Sequence, residues 1–339
     1  MRFRNIAANG LTVLIVAGLV GAVAFAWAER EFVAPGPLAE EAVVEVPRGA
    51  SLRDVAHLLE MHGVVESGPL FRLGARYTGG AQRLKFGEYT FEPRASMEEV
   101  LAKLTSGDVI KRFVTVPEGK SSWEVVQILR DNPLLTGEVE VPPEGSVFPS
   151  TYDIRRNQPR SEVLARMQAA MEENLAAAWE KRQEGLPIET PEEALILASI
   201  VEKETGLAGE RPQVAGVFIN RLRRGMRLQS DPTVVYGITE GEGPLGRGLR
   251  RSELDRETPY NTYAIDGLPP MPIANPGLDA IEAVLNPAET DALYFVADGT
   301  GGHAFAKTLD EHNANVRQWR KIEAERQAAA ERETTVETE

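Results

Sequence analysis

Val46-Pro-Arg-Gly-Ala-Ser-Leu-Arg-Asp-Val55 is answered seventy residues on by Val116-Pro-Glu-Gly-Lys-Ser-Ser-Trp-Glu-Val125, and each is followed by an apolar pair, Leu58-Leu59 and Ile128-Leu129. A looser third copy starts at Phe91 and carries Pro93, Ser96, Glu99, Val100 and Leu104. In every copy a serine stands three residues before an acid. That is the capping-box spacing, in which the hydroxyl and the carboxylate satisfy N–H groups left open at a helix start. Each copy therefore predicts strand, turn, helix. Leu84 to Phe91 alternates apolar and polar side chains, the pattern of a half-buried strand. Together these predict a small α+β unit over residues 43–110.

Working outward toward the N-terminus, residues 29–42 carry charge, proline and glycine without periodicity and predict a linker. Before them, Arg2 and Arg4 precede an uncharged stretch from Asn5 to Ala28, apolar or small through Leu11 to Trp27. This is the length of one bilayer crossing. The expectation is a transmembrane anchor over 7–28, with residues 1–6 in the cytoplasm because the two arginines sit at the start and no comparable basic cluster follows Ala28. The rest of the chain would then face the periplasm. The alternative is a signal peptide cleaved at Ala26-Trp27-Ala28. Either way the folded part is exported.

Composition narrows the partners. The chain has 339 residues, 42% of them apolar, enough for two cores. Its net charge of −14 disfavours nucleic acid or an anionic lipid surface as the main partner, leaving neutral or zwitterionic polymers open. With no cysteine, disulfides, thiolate metal sites and cysteine nucleophiles are excluded. His303 and His312 have no third ligand in a recognisable motif, so neither a metal nor another cofactor is expected.

Toward the C-terminus, a larger mixed α+β domain is predicted over 111–319. Ser161 to Glu184 is rich in helix formers, with a stripe of Val163, Leu164, Met167, Met171 and Leu175. Leu293 to Ala297, a turn over 298–302, and His303 to Phe305 predict a hairpin. Residues 320–339 predict a frayed helix or flexible tail.

The chemistry is concentrated in Ala194-Leu-Ile-Leu-Ala-Ser-Ile-Val-Glu-Lys-Glu-Thr-Gly206. A helix that is apolar all round and then ends in three charges is a buried helix delivering charge to some place. At helical spacing Glu204 neighbours Ile200, Val201 and Leu197, while Glu202 neighbours Ala198 and Ser199. Apolar surroundings disfavour a carboxylate and keep a glutamic acid protonated near neutral pH, as a general acid requires. Taken by itself, the helix also fits two solvated glutamates at a frayed end.

Several blocks occur in order with this helix: Glu144-Gly-Ser-Val-Phe-Pro-Ser-Thr-Tyr152, Val217-Phe-Ile-Asn-Arg-Leu222, Gly225-Met-Arg-Leu-Gln-Ser-Asp-Pro-Thr-Val-Val-Tyr-Gly237, Tyr260-Asn-Thr-Tyr263, Gly267-Leu-Pro-Pro270, Ile273-Ala-Asn-Pro-Gly277, and Leu293 to Gly299 followed by Gly302-His-Ala-Phe305. The set resembles the endolytic murein transglycosylases, the MltG or YceG-like family, from the membrane helix to about Val316. The unit over 43–110 resembles a LysM-like glycan-binding module.

The resemblance implies cleavage of the β-1,4 bond between N-acetylmuramic acid and N-acetylglucosamine inside a glycan strand, without water, leaving a 1,6-anhydro end. It implies Glu204 as the catalytic acid and then base, with Glu202 supporting. It also implies peptidoglycan as substrate, the inner membrane as location and wall synthases as partners in ending nascent strands.

From their chemistry, Gln229, Ser230 and Asp231 suit a loop that binds sugar hydroxyls, and Tyr260, Asn261 and Tyr263 offer an aromatic platform with an amide. Asn220 and Arg221 support the catalytic helix, more as a hydrogen-bond network than as contacts to substrate. Two other functions remain open: a water-using glycosidase pairing Glu204 with Asp231, and a non-catalytic, membrane-anchored glycan-binding scaffold.

Overall fold

The computed structural model describes the backbone of residues 2–336 and the side chains of Thr12 and residues 14–326. The fold is mixed α+β, in two compact units, Met1–Lys111 and Arg112–Glu339.

In the first unit, α1 (Arg2–Val33) leads to β1 (Ala42–Val46), α2 (Leu52–Met61), α3 (Gly68–Tyr77), β2 (Gly87–Phe91) and α4 (Met97–Ser106). β1 and β2 pair antiparallel, from Ala42 opposite Phe91 to Val46 opposite Gly87. Their alternation puts Val44, Val46, Tyr89 and Phe91 into the core against Leu59, Phe71, Val100 and Leu104. Each such side chain contributes roughly 1.5–3 kcal/mol by leaving water. The expected capping boxes are present at Ser51 with Asp54 and at Ser96 with Glu99. The strand expected from Leu84 begins only at Gly87.

The expected linker over 29–42 needs correction. α1 runs on to Val33, and Phe32 and Leu38 are buried in this core. The cause lies across the chain at Gly74, where a Cβ would stand 2.2 Å from the Phe32 ring. The backbone is fastened as well, Gly36 N donating to Arg94 O and Arg94 N to Leu38 O.

Among the described residues no helix is long and apolar enough to cross a membrane. The expected anchor over 7–28 begins in residues whose side chains lie outside that description. Within the described part of α1, Leu14, Val16, Leu19, Val20, Val23 and Trp27 are all exposed.

The second unit comprises β3 (Arg112–Thr115), α5 (Ser122–Asp131), β4 (Leu135–Thr136), β5 (Thr151–Ile154), β6 (Gln158–Pro159), α6 (Arg160–Trp179), α7 (Pro191–Glu204), α8 (Arg211–Arg223), α9 (Asp231–Thr239), α10 (Arg251–Leu254), α11 (Leu278–Leu285), β7 (Tyr294–Ala297), β8 (His303–Ala306) and α12 (Leu309–Val336). β3 pairs antiparallel with β5, β4 parallel with β6, and β7 antiparallel with β8 as the expected hairpin.

The repeat recurs at the start of this unit as β3 and α5, with Ser121 and Glu124 forming the capping box. Gly49 and Gly119 hold the same place in the two copies at φ 82° and 73°, where a side chain would be strained. α6 stops at Trp179, short of the expected Glu184, because the Gln183 N–H is taken by Leu285 O. The main core joins α7, α8 and α11 through Leu197, Ile200, Phe218, Ile219, Ile281 and Val284.

Candidate active site

α7 starts at a Thr190 cap with Pro191 in the first helical position, and Ala194 together with Ile196 to Val201 is buried. A helix buried on all sides has its axis fixed, so its last residue, Glu204, is delivered to one place. Glu204 is half-buried. Its Oε1 accepts a 2.5 Å hydrogen bond from Ser230 Oγ. Burial pushes the carboxyl up strongly, the Ser230 bond draws it down, and the Asp231 charge adds to the rise. His303 and Arg221 pull it down more weakly, and the net value is about 7. A glutamic acid in that state is about half protonated at neutral pH and can both give and take a proton.

Glu202 is enclosed as well, with 5% of its side chain exposed, but desolvation acts more strongly on Glu204, as helical spacing suggested. Burial raises the Glu202 carboxyl too, but both oxygens are engaged: Oε1 accepts from Arg211 Nη2 at 3.1 Å and Oε2 from Gly277 N at 3.0 Å. Arg211 also pairs with Glu118 at 3.1 Å and Asp279 at 3.3 Å. This knot fastens the end of α7 to the turns before α5 and α11.

The partner loop is built from the Gln229-Ser230-Asp231 cluster. Gln229 takes φ 52° and is exposed, its N–H donating to Thr262 O. Ser230 is 1% exposed. It stands where the N-cap of α9 is expected to bond its own helix, yet its hydroxyl goes to Glu204, and its N–H donates to Thr262 Oγ1 at 2.9 Å. Ser230 thus meets the Glu204 carboxyl from a nearly closed position. Asp231 is exposed and accepts from Tyr263 Oη at 2.6 Å. Burial, and after it that bond, push the Tyr263 hydroxyl above its ordinary range, so it remains a donor.

The other expected ligand-binding residues sit differently. Asn261 is wholly buried, its Nδ2 donating to Glu253 O, Leu254 O and Arg256 O while Oδ1 accepts from Tyr263 N. With its amide hydrogens spent on backbone carbonyls and no surface exposed, the side chain is closed off from a sugar, at odds with its expected place in substrate binding. We expect Asn261→Ala to cost about 2–3 kcal/mol by orphaning these groups, seen as a lower denaturation midpoint with substrate KM unchanged. Tyr260 lies against Tyr236, ring centroids 4.9 Å apart, and backs it from behind. Asn220 donates to Thr290 O and Ala292 O, and Arg221 to Leu293 O and Leu228 O. These two tie the loop before Ser230 to the hairpin.

A groove of about 640 Å³ opens beside this loop, lined by Lys120, Lys203, Asp231, Tyr236 and Arg247 among others. Its lining takes in Lys203 and Asp231, the chain neighbours of Glu204 and Ser230, while those two side chains lie behind it, and it mixes aromatic, cationic and backbone polar groups, a lining suited to a hydrated polymer.

Sequence reasoning missed Thr262, Glu210 and Glu144. Thr262 accepts Ser230 N and shares a 2.9 Å hydroxyl bond with Thr233. Glu210 grips His303 through Nδ1 at 2.8 Å and the backbone N–H at 2.9 Å, while Thr205 Oγ1 donates to it at 3.4 Å. Burial pushes Glu210 up, but the His303 bonds outweigh it and hold the carboxyl low. Glu144 accepts from Ser122 N and from Asn275 Nδ2, whose Oδ1 receives Val147 N. Only the positions of Glu144 and Thr262 within the ordered blocks hinted at such roles.

Comparison with known proteins adds to this geometry. The endolytic murein transglycosylase of Streptococcus pneumoniae serotype 2 (strain D39) is 30% identical over 323 residues, covering 80% of this chain and 57% of that protein. The chain thus spans little more than half the length of that relative. The endolytic murein transglycosylase of Bacillus subtilis (strain 168) is 28% identical over 302 residues, covering 80% of this chain and 82% of its own. A crystal structure of a yceG-like protein from Listeria monocytogenes superposes with a TM-score of 0.51 at 29% identity, covering 81% of this chain and 98% of that one. The YceG-like family matches residues 44–318, a span that takes in Glu204, its Ser230 partner and the groove, and the chain belongs to that family.

Proposed function

We propose that this chain is an endolytic peptidoglycan transglycosylase that cuts the bond between N-acetylmuramic acid and N-acetylglucosamine within a strand. The observation that carries the reading is a single carboxyl at about 7, held by Ser230 beside a groove large enough for a polysaccharide. Its relatives' names supply the substrate class.

Protonated Glu204 gives its proton to the bridging oxygen as the C1–O4 bond breaks, and the bonding pair leaves with that oxygen. Positive charge gathers at C1. The groove-lining Asp231 carboxylate offsets it. The Glu204 carboxylate then takes the proton of the muramoyl 6-hydroxyl while that oxygen bonds C1, closing the anhydro ring. The proton is returned, and no water is consumed. Glu202, tied to Arg211 and Gly277, holds the helix end and takes no part in proton transfer.

Purified strands digested in heavy-oxygen water should yield anhydro ends with no label. Labelled reducing ends would instead favour hydrolysis with Asp231 activating water, a reading supported only by the proximity of Asp231 to Glu204.

Because the acid must enter protonated, kcat/KM should fall as pH rises through about 7. The Ser230 bond lowers that value, so in Ser230→Ala the alkaline limb should move to higher pH while the step needing the carboxylate slows. A pH–rate profile of both proteins checks this.

The exposed apolar run of α1 supports a further part of the proposal, that the helix is an inner-membrane anchor with its N-terminus cytoplasmic. Tethering concentrates the enzyme where new strands emerge and favours association with wall synthases. The first unit would then guide the glycan as a LysM-like module. Co-purification with synthases from solubilised membranes tests the association.

A further inference from the structure

The first unit carries an apolar surface that its own core leaves uncovered. On α3, Leu73 and Tyr77 are 59% and 76% exposed. On α1, Phe25 and Trp27 are also exposed. The two helices meet there: the Phe25 and Tyr77 rings pack edge to face with centroids 5.5 Å apart. Behind them is a cleft of about 200 Å³ lined by Phe25, Phe32, Leu70, Leu73 and Tyr77.

Depth along α1 decides what covers this surface. Glu29 and Arg30 are the first charged residues after Arg4 and mark where the helix reaches water. Phe25 lies one turn before Glu29, about 6 Å at 1.5 Å per residue. Tyr77, packed on Phe25, is therefore level with the apolar side of that boundary, where tyrosine and tryptophan concentrate in membrane proteins. Arg76 is exposed beside Tyr77, and Arg72 is one turn back, long cations able to reach outward to phosphates while their stems stay on the apolar face.

We propose that α3 is a membrane-surface helix whose Leu73 and Tyr77 enter the headgroup region of the bilayer beside Phe25 and Trp27, with Arg72 and Arg76 on lipid phosphates. The proposal rests on the reading of α1 as an anchor. The first unit would then sit directly on the lipid surface, since only residues 34–41 separate α1 from β1, and Leu38 among them is buried in its core.

The absence of native cysteine makes the test direct. Trp27→Cys, Leu73→Cys and Tyr77→Cys each replace an exposed residue, and each full-length variant, carrying one nitroxide, is reconstituted into vesicles of phosphatidylethanolamine and phosphatidylglycerol. Collision with oxygen, which enters lipid, is compared with collision with a water-soluble nickel chelate. The expected result is that all three labels favour oxygen. If the label at 27 favours oxygen while those at 73 and 77 favour the chelate, the proposal fails and the anchor stands. If all three favour the chelate, both readings fall. Labels at 73 and 77 shielded from both reagents, with spectra broadened by a second labelled copy, would make the surface a protein contact and overturn the proposal.

Discussion

Glu204→Gln should abolish strand cleavage, with a loss of about 10²–10⁴-fold or more, because one group supplies both proton transfers. The amide keeps the shape and can still accept the 2.5 Å bond from Ser230, so the loss is chemical and not architectural. The same variant has a second signature. The folded-state carboxyl sits near 7, above its ordinary value of 4.5, so the folded protein holds this proton more tightly than the unfolded chain does. The ionised carboxylate therefore costs stability, with the penalty absent at low pH, growing from about 4.5 and complete above about 7. Discounted for the part of Glu204 that reaches water, the cost is about 2 kcal/mol. Glu204→Gln should consequently melt higher than the parent at pH 8 and alongside it at pH 4. A variant that is inactive but shows no such pH-dependent gain would argue against a poorly hydrated carboxyl here, and one that cleaves at the parent rate would remove Glu204 from the reaction.

Arg211→Met should be the largest single blow to stability in the second unit. Arg211 is buried among Glu118, Glu202 and Asp279. Removing it strands the Glu202 carboxylate in a nearly closed site with only the Gly277 N–H. Breaking one side of a buried pair costs about 3–5 kcal/mol, which in a domain of this size lowers Tm by roughly 10 °C. Glu204 keeps its Ser230 partner, so cleavage well below the melting point should survive. Arg211→Met combined with Glu202→Leu should recover much of the loss, because no unpaired charge then remains. Calorimetry of the single and double variants checks both statements. Equal melting of the single variant and the parent would mean that Glu202 is solvated and that the end of α7 is held by packing alone.

These residues also mark how far the sequence could be read. The capping boxes at Ser51, Ser96 and Ser121 were legible because they span three residues, and even at Ser121, whose hydroxyl donates to the distant Gly241 O, the oxygen still accepts from Glu124 N. At Ser230 the same logic fails: the residue precedes a helix, yet Glu204, 26 residues back in the chain, takes its hydroxyl. The block Tyr260 to Tyr263 was readable as a unit but not by role. Its amide is spent on three carbonyls of the preceding segment, and its Tyr263 hydroxyl orients Asp231. The linker expected over 29–42 failed for a related reason. Phe32 belongs to the core because Gly74, on another helix, leaves room for its ring.

What the sequence determined by itself was local and periodic: the repeated strand, turn and helix, the fully apolar stretch of α7, and the charge placed at its end. Helical spacing already pointed to Glu204 as the glutamate in apolar surroundings, whereas the cation at Glu202 and the serine at Glu204 were decided only by tertiary structure. Helical spacing fixes direction along one element, whereas solvation of a carboxyl depends on Arg211, Gly277, Ser230 and Asp231, which reach the end of α7 from other segments.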